Sequence, residues 1–311
     1  MAKILITESV HPIGPELLTA AGHTVVYADR DMDVICREIV DADAVLVRII
    51  ELPGSLLATA KNLKIVSKHG VGYDNIDLDY CKSHGVAVTI TPNANSLSVA
   101  EHAFTLMLTL AKNIIPVSNK YRMVGFAAKN HAPGIEMTGK TLGLIGMGRI
   151  GKHVLHMCKD GMDMHVIVYD PYISEVPEGV EKVDDLSELL RRADIVTLHC
   201  LLTDETRKLI DRERLALMKP TALLINCARG PIVDEAALIE ALENGRLAGA
   251  GLDVTDPEPV APDSPLFKLP NVIVTPHYAP TTVESATRVS KIAAENINAV
   301  LAGQEPVGRI V

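Results

Sequence analysis

The sequence predicts an α/β protein of two doubly wound parallel-sheet domains, one inserted into the other. Short β-branched runs alternate with helix-length segments from one end to the other, the signature of parallel strands joined by crossover helices. One long apolar segment, at about 98–116, interrupts the alternation. The length, 311 residues, is enough to bury two separate cores.

In the first series the candidate strands are 3–7, 24–28, 44–48, 64–67 and 86–90, separated by helix-length segments at 15–21, 33–40, 54–60 and 77–84. Five such strands make one doubly wound unit. The apolar segment reads as a helix from Ser98 to Pro116, with Ser96 or Ser98 as N-cap and Glu101 spaced for a capping box. After a loop rich in Gly, Ala and Pro, a second series has strands at 141–145, 166–169, 195–198, 222–226, 249–253 and 272–275. A helix at 282–301 closes the chain and is free to return to the first unit. The expected division is 1–97 plus 283–311 for one domain and 98–282 for the other, with two crossings and a cleft at the hinge. Ligands of open α/β sheets bind beyond the carboxyl ends of the strands.

Composition narrows the function classes. Hydrophobic residues make up 48 % and charged residues 22 %, ordinary for a globular enzyme. A net charge of -9 with scattered basic residues argues against a nucleic-acid binder, which needs clustered Lys and Arg. The start, with its short run Ile4-Leu5-Ile6, reads as a first strand rather than a signal peptide. No run approaches the roughly 18 apolar residues of a membrane span. Cys36, Cys81, Cys158, Cys200 and Cys227 are odd in number and contain no C-x-x-C pair, which points to reduced thiols and a cytoplasmic protein.

The strongest local signal is Gly146-Met147-Gly148-Arg149-Ile150-Gly151. It follows a candidate strand and opens a helix, the context that gives a G-x-G-x-x-G string meaning. Gly146 permits the tight turn, Gly148 lets the backbone approach a pyrophosphate, and Gly151 lets the helix pack on the strand. Arg149 and Ile150 begin the helix whose positive end faces the phosphates. Asp170, closing the next strand, is placed to accept from the adenosine ribose hydroxyls and to repel a 2′-phosphate. No Arg or Lys lies between Pro171 and Glu181. The expected cofactor is NAD rather than NADP.

Three further segments each place one ionisable group past a strand: Arg229, Glu258 and His277. Hydride transfer from an alcohol needs a base for the hydroxyl proton, a cation for a substrate carboxylate and a group that holds the base. His277 suits the first role, Arg229 with its planar donor fork the second, and Glu258 the third, by fixing the imidazole tautomer. Together they point to an oxidoreductase acting on a small 2-hydroxy or 2-oxo acid.

The fingerprint, Asn226-Cys227-Ala228-Arg229-Gly230, Gly251-Leu252-Asp253-Val254 with Glu258-Pro259, and Thr275-Pro276-His277 resemble, in that order, the D-isomer-specific 2-hydroxyacid dehydrogenase family. The likeness extends through Gly70-Val71-Gly72-Tyr73-Asp74-Asn75-Ile76-Asp77 and Asn95-Ser96-Leu97-Ser98-Val99-Ala100-Glu101-His102. The resemblance implies a flavodoxin-like substrate domain with an inserted Rossmann NAD domain, D-stereospecificity and a homodimer formed through the nucleotide domain. It also implies that backbone amides near Val71 and Gly72 bind the substrate carboxylate with Arg229, and that Asn95 belongs to the substrate pocket. Cys227 falls to the cofactor, and Asp253 to the nicotinamide carboxamide. Val47-Arg48 and the Asn-Ser-Leu-Ser stretch look most like phosphoglycerate dehydrogenases, where Arg48 would help hold a phosphate. Ile50 stands where some of those enzymes carry a second arginine, Leu201 where members commonly have proline, and the ending at Val311 points to a form without a regulatory domain.

The substrates weighed are 3-phosphoglycerate, hydroxypyruvate or glycerate, glyoxylate and a longer 2-oxo acid. A corepressor-like protein that resembles the family and uses the nucleotide to control assembly is the rival from another class. The absence of a recruiting tail counts against it. A metal enzyme is the third rival. His153 and His156 share a helix face, with no neighbouring acid or cysteine expected to complete a ligand set. His69, His84 and His131 are expected at a pocket rim or on the surface, and no metal is expected.

Overall fold

The computed structural model describes residues 1–130 and 133–311; His131 lies outside the described residues. The chain divides into two compact units, Met1–Asn95 with Pro280–Val311, and Ser96–Ala279.

The first unit runs β1 (Lys3–Ile6), α1 (Ile13–Ala20), β2 (Thr24–Tyr27), α2 (Met32–Glu38), β3 (Ala44–Val47), α3 (Gly54–Leu57), β4 (Ile65–Lys68), α4 (Leu78–Ser83) and β5 (Ala87–Thr89). Its five strands are parallel in the order β2-β1-β3-β4-β5, the doubly wound order of flavodoxin-like sheets. Alternation along β1 sends Ile4 and Ile6 to one face and Leu5 to the other, as the two-residue period requires. Asp31 and Asp77 start α2 and α4 by accepting from backbone N–H groups of the first turn.

The second unit opens with α5 (Ser96–Ala111) and α6 (Ile114–Val124), followed by β6 (Thr141–Ile145), α7 (Arg149–Met162), β7 (His165–Tyr169), β8 (Val180–Lys182), α8 (Leu186–Arg192), β9 (Ile195–Leu198), α9 (Arg212–Leu217), β10 (Leu223–Asn226), α10 (Glu235–Glu243), β11 (Gly249–Leu252) and β12 (Val272–Val274). The seven strands are parallel in the order β12-β11-β10-β9-β6-β7-β8. The order reverses between β6 and β9, which is the switch point of a Rossmann sheet. Leu223 and Ile225 face the layer of α5 and α7, and Leu224 faces that of α8 to α10. Asp185, Asp211 and Asp234 cap these last three helices.

The final helix, α11 (Val283–Leu301), packs on α1 and β4 of the first unit, burying Ala293, Ala294 and Ile297 against Ile4, Ile6, Leu46 and Ile65. The last residues then cover the β5 edge: Thr89 pairs antiparallel with Arg309, and Ile90 N donates to Gly308 O. A covered edge offers no template for further strand pairing.

Two local expectations are corrected. The segment 98–116 is two helices, because Asn113 takes a left-handed conformation (φ 51°, ψ 36°), which asparagine tolerates better than most residues. Pro116 then falls in the first turn of α6, where its missing N–H is not needed. Since α5 begins at Ser96, Ser98 is not a cap but a buried residue of the first turn. The strand β8 was not foreseen; it is a three-residue edge with little apolar content.

Candidate active site

The turn after β6 is built by glycine. Gly146 has φ +88°, and a Cβ there would lie 2.7–2.9 Å from the backbone of His199 and Cys200. A Cβ on Gly151 would meet Gly146 O at 2.3 Å, while one on Gly148 would meet nothing within 4 Å. Two glycines are therefore demanded by the protein's own backbone, and the third leaves an exposed open place at the start of α7. The first N–H groups of a helix have no intrahelical acceptor and suit an anion. Arg149 is exposed and Ile150 half-buried at this end. Such a cradle fits a dinucleotide pyrophosphate. Asp170, directly after β7, accepts from Met147 N at 2.9 Å and Tyr172 N at 3.0 Å. It thus ties the glycine turn to its own loop while each oxygen keeps a lone pair for another donor.

The neighbouring strands β10, β11 and β12 carry the ionisable trio. Asn226, the last residue of β10, is 1 % exposed. It folds the turn by accepting from Ala228 N and donating Nδ2–H to Arg229 O, and its own carbonyl accepts from Asp253 N. Arg229 is half-buried and donates Nη1–H to Ala228 O at 2.8 Å. The next residue, Gly230, packs so tightly on the loop after β11 that a Cβ would lie 1.9 Å from Thr255 O. That loop carries Glu258. It is held by Thr255 Oγ1 donating to Pro257 O and by Asp256 N donating to Glu235.

The loop after β12 presents His277, whose Nδ1 is 2.7 Å from Glu258 Oε1. With Nδ1 engaged by a carboxylate acceptor, a neutral imidazole carries its hydrogen on Nδ1 and leaves Nε2 as the basic nitrogen. The His277 side chain is 33 % exposed, so Nε2 can be approached. His277 takes φ +52°, an uncommon conformation for a residue with a Cβ. Asp253 supports it. Its carboxylate, 1 % exposed, accepts from Thr275 Oγ1 at 2.5 Å, Tyr278 N at 2.7 Å and Ala279 N at 2.9 Å, while its carbonyl accepts from His277 N. Asp253, expected at the nicotinamide carboxamide, therefore turns both oxygens onto the 275–279 loop. Cys227 is buried, and burial with the nearby Asp253 charge holds its thiol well above the usual range.

In the first unit, Glu8 is 1 % exposed and gathers Arg48 N, Ile49 N, Ile50 N and Thr7 Oγ1 at 2.6–3.1 Å. This fixes the backbone from which Arg48 projects, and the guanidinium donates to Ser9 O. Lys68 donates Nζ–H to Arg48 O and Asn75 Oδ1, and Asn75 donates to Ile50 O. Val71, Gly72 and Asn95 are half-buried on the loops after β4 and β5. His69, next to them, is pushed down to about 3 by burial and then by the Arg48 charge, and its Nε2 is buried with no partner among the described residues.

Glu8 and Lys68 were missed, and Asn75 stood in a quoted segment with no role given to it. They meet Arg48 and Ile50 across 20 to 42 residues, pairings for which a single sequence holds no signal. His156 has an acid beside it, Asp160 at 2.6 Å, and among the described residues no three ligand-type side chains gather around one point. No helix among the described residues is long and apolar enough to cross a membrane.

The family model described as D-isomer specific 2-hydroxyacid dehydrogenase, NAD binding domain, matches residues 104–279. The chain is 43 % identical to D-3-phosphoglycerate dehydrogenase of Methanocaldococcus jannaschii, over 98 % of this chain and 58 % of that protein. It is 38 % identical to glyoxylate reductase of Thermofilum pendens, over 98 % of this chain and 93 % of that one. The chain spans just over half the length of the phosphoglycerate dehydrogenases it matches. A solved structure from Thermus thermophilus superposes with a TM-score of 0.93 at 34 % identity, covering 99 % of this chain and 100 % of that one. The NADPH-dependent glyoxylate/hydroxypyruvate reductase of Sinorhizobium meliloti, solved with NADP and malonate, does so with 0.90 at 28 %, covering 100 % and 97 %. With the glycine cradle and the His–Glu pair on one parallel sheet, these likenesses identify the chain as a member of the D-isomer-specific 2-hydroxyacid dehydrogenase family.

Proposed function

We propose that the chain is an NAD-dependent dehydrogenase that interconverts a small 2-hydroxy acid and its 2-oxo acid. The observation that carries this is the 2.7 Å contact of His277 Nδ1 with Glu258, on the sheet that holds the glycine cradle. Bound at Gly146, Gly148, Arg149, Ile150 and Gly151, NAD supplies the hydride acceptor for C2 in oxidation, and NADH the donor in reduction. His277 Nε2 takes the hydroxyl proton in oxidation and returns it in reduction. Glu258 holds the ring and stabilises the imidazolium while the proton is there. Arg229 clamps the substrate carboxylate and polarises the C2 oxygen. Asp253 holds the 275–279 loop, and its Oδ2, which accepts from Ala279 N, keeps a lone pair for the nicotinamide carboxamide to which it is assigned. Cys227 lines the same strand ends as a small buried side chain.

The preference for NAD rests on Asp170, whose charge disfavours a 2′-phosphate. In the first unit, which we take as the substrate domain against the NAD-binding second unit, Val71, Gly72 and Asn95 are assigned to the substrate. Arg48, its backbone fixed by Glu8, is assigned to an anionic tail such as the phosphate of 3-phosphoglycerate. Relatives named glyoxylate reductase support the alternative of a short uncharged tail. Replacing Arg48 by Ala separates the two: a loss confined to phosphohydroxypyruvate supports the phosphate, and a uniform loss assigns Arg48 to the fold.

We further propose a homodimer formed through the second unit. No residue of α6, all of them described, is buried, and Ile114, Tyr121, Met123 and the following Phe126 are 55–79 % exposed. An apolar patch of this kind marks a partner surface. The five free cysteines support a reducing compartment, the cytoplasm. Light scattering tests the dimer: Met123→Glu with Phe126→Glu should halve the mass, and an unchanged mass contradicts the assignment.

A further inference from the structure

Helix α5 approaches the loop that bears His277 through one imidazole outside the Arg229, Glu258 and His277 trio, that of His102. His102 Nε2 lies 3.0 Å from Thr275 Oγ1 and 3.4 Å from Asp253 Oδ1, with the side chain 18 % exposed. The hydrogens can be assigned. Thr275 has one hydroxyl hydrogen, and the 2.5 Å contact with the Asp253 carboxylate takes it. The contact with His102 therefore needs the hydrogen on Nε2, and His102 is the donor. The other donors to the Asp253 carboxylate, Thr275 Oγ1, Tyr278 N and Ala279 N, all belong to the loop itself. They fold the loop around the carboxylate, and His102 ties that assembly to a long helix packed on α7 and the sheet.

We propose that His102 is a positioning residue for His277. Its Nε2–H holds the Thr275–Asp253 pair in register, and through Asp253 it keeps His277 in the left-handed conformation that faces Glu258. This rests on the reading of His277 as the proton-transferring group.

The test uses His102→Ala, His102→Gln and His277→Ala in the full chain, with NADH and either hydroxypyruvate or phosphohydroxypyruvate. Glutamine can place an amide N–H near the position of Nε2. His102→Ala should lower kcat about tenfold or more, since small misplacements of a catalytic group cost up to about a hundredfold. KM and the NADH dissociation constant should stay within about twofold, and His102→Gln should recover most of kcat. In the cofactor-free protein, the imidazole resonances of His277 should shift or broaden in His102→Ala and return in His102→Gln. A His102→Ala enzyme with parental kcat and an unmoved His277 spectrum overturns the proposal. So does a loss that glutamine does not recover and that falls equally on cofactor affinity and thermal stability. An active His277→Ala enzyme would instead overturn the underlying assignment of His277.

Discussion

At the turn after β6, a binding place is made by leaving side chains out: Gly146 and Gly151 are pressed by backbone, and Gly148 opens onto free space. At the corner after β12 the opposite holds. His277 adopts a conformation uncommon for a residue with a side chain, and it is kept there by Asp253, Thr275, His102 and Glu258. Both corners lie at the carboxyl end of the same parallel sheet. A diphosphate is recognised along its length by N–H groups that any residue carries, so the backbone suffices. Proton transfer needs one nitrogen aimed in one direction, and only converging side chains fix that.

The contrast predicts different failures. Gly146→Val should weaken NADH binding on the order of a hundredfold or more, because the side chain meets fixed backbone under 3 Å away; fluorescence titration with NADH reads this directly. Glu258→Gln should leave NADH affinity nearly unchanged and lower kcat by roughly ten- to a hundredfold, measured by steady-state kinetics. An equal loss of affinity in both variants would dissolve the comparison. Asp170→Ala should narrow the preference for NADH over NADPH by about tenfold, seen as a ratio of kcat/KM values.

The last effect concerns stability rather than binding or turnover. His199, against the glycine turn, is pushed down to about 3 by burial, with Nδ1 unpartnered among the described residues and Nε2 bonded to Thr197. In the unfolded chain it titrates near 6.5, so below that pH the unfolded state binds a proton that the folded state does not. Stability is full above pH 6.5 and is lost as pH falls toward 3, by about 1 kcal/mol per pH unit. His69 adds the same dependence in the first unit. Melting temperatures between pH 7.5 and 5 should fall, and His199→Gln should flatten the slope.

The two corners also differ in how well they could be read from the chain. The glycine turn is contiguous, and its strand–turn–helix context is written around it, so the tight turn at Gly146 and the close packing at Gly151 were legible. The places of Arg229, Glu258 and His277 past strand ends were legible because each follows a recognisable strand. The shell that aims them was not: His102 meets Thr275 across 173 residues and Glu8 meets Arg48 across 40. A period of 2 or 3.6 residues says nothing about such pairs. The break at Asn113 was hidden for another reason, since apolar residues continue through it and Asn takes either conformation.

The most direct test of the central claim is NADH oxidation against phosphohydroxypyruvate, hydroxypyruvate, glyoxylate, pyruvate and a branched long-chain 2-oxo acid, with His277→Ala run beside the parent. Turnover is expected on at least one acid, lowered by about a hundredfold or more in the variant. Tight NADH binding with no turnover on any acid, or turnover that survives in His277→Ala, would contradict it.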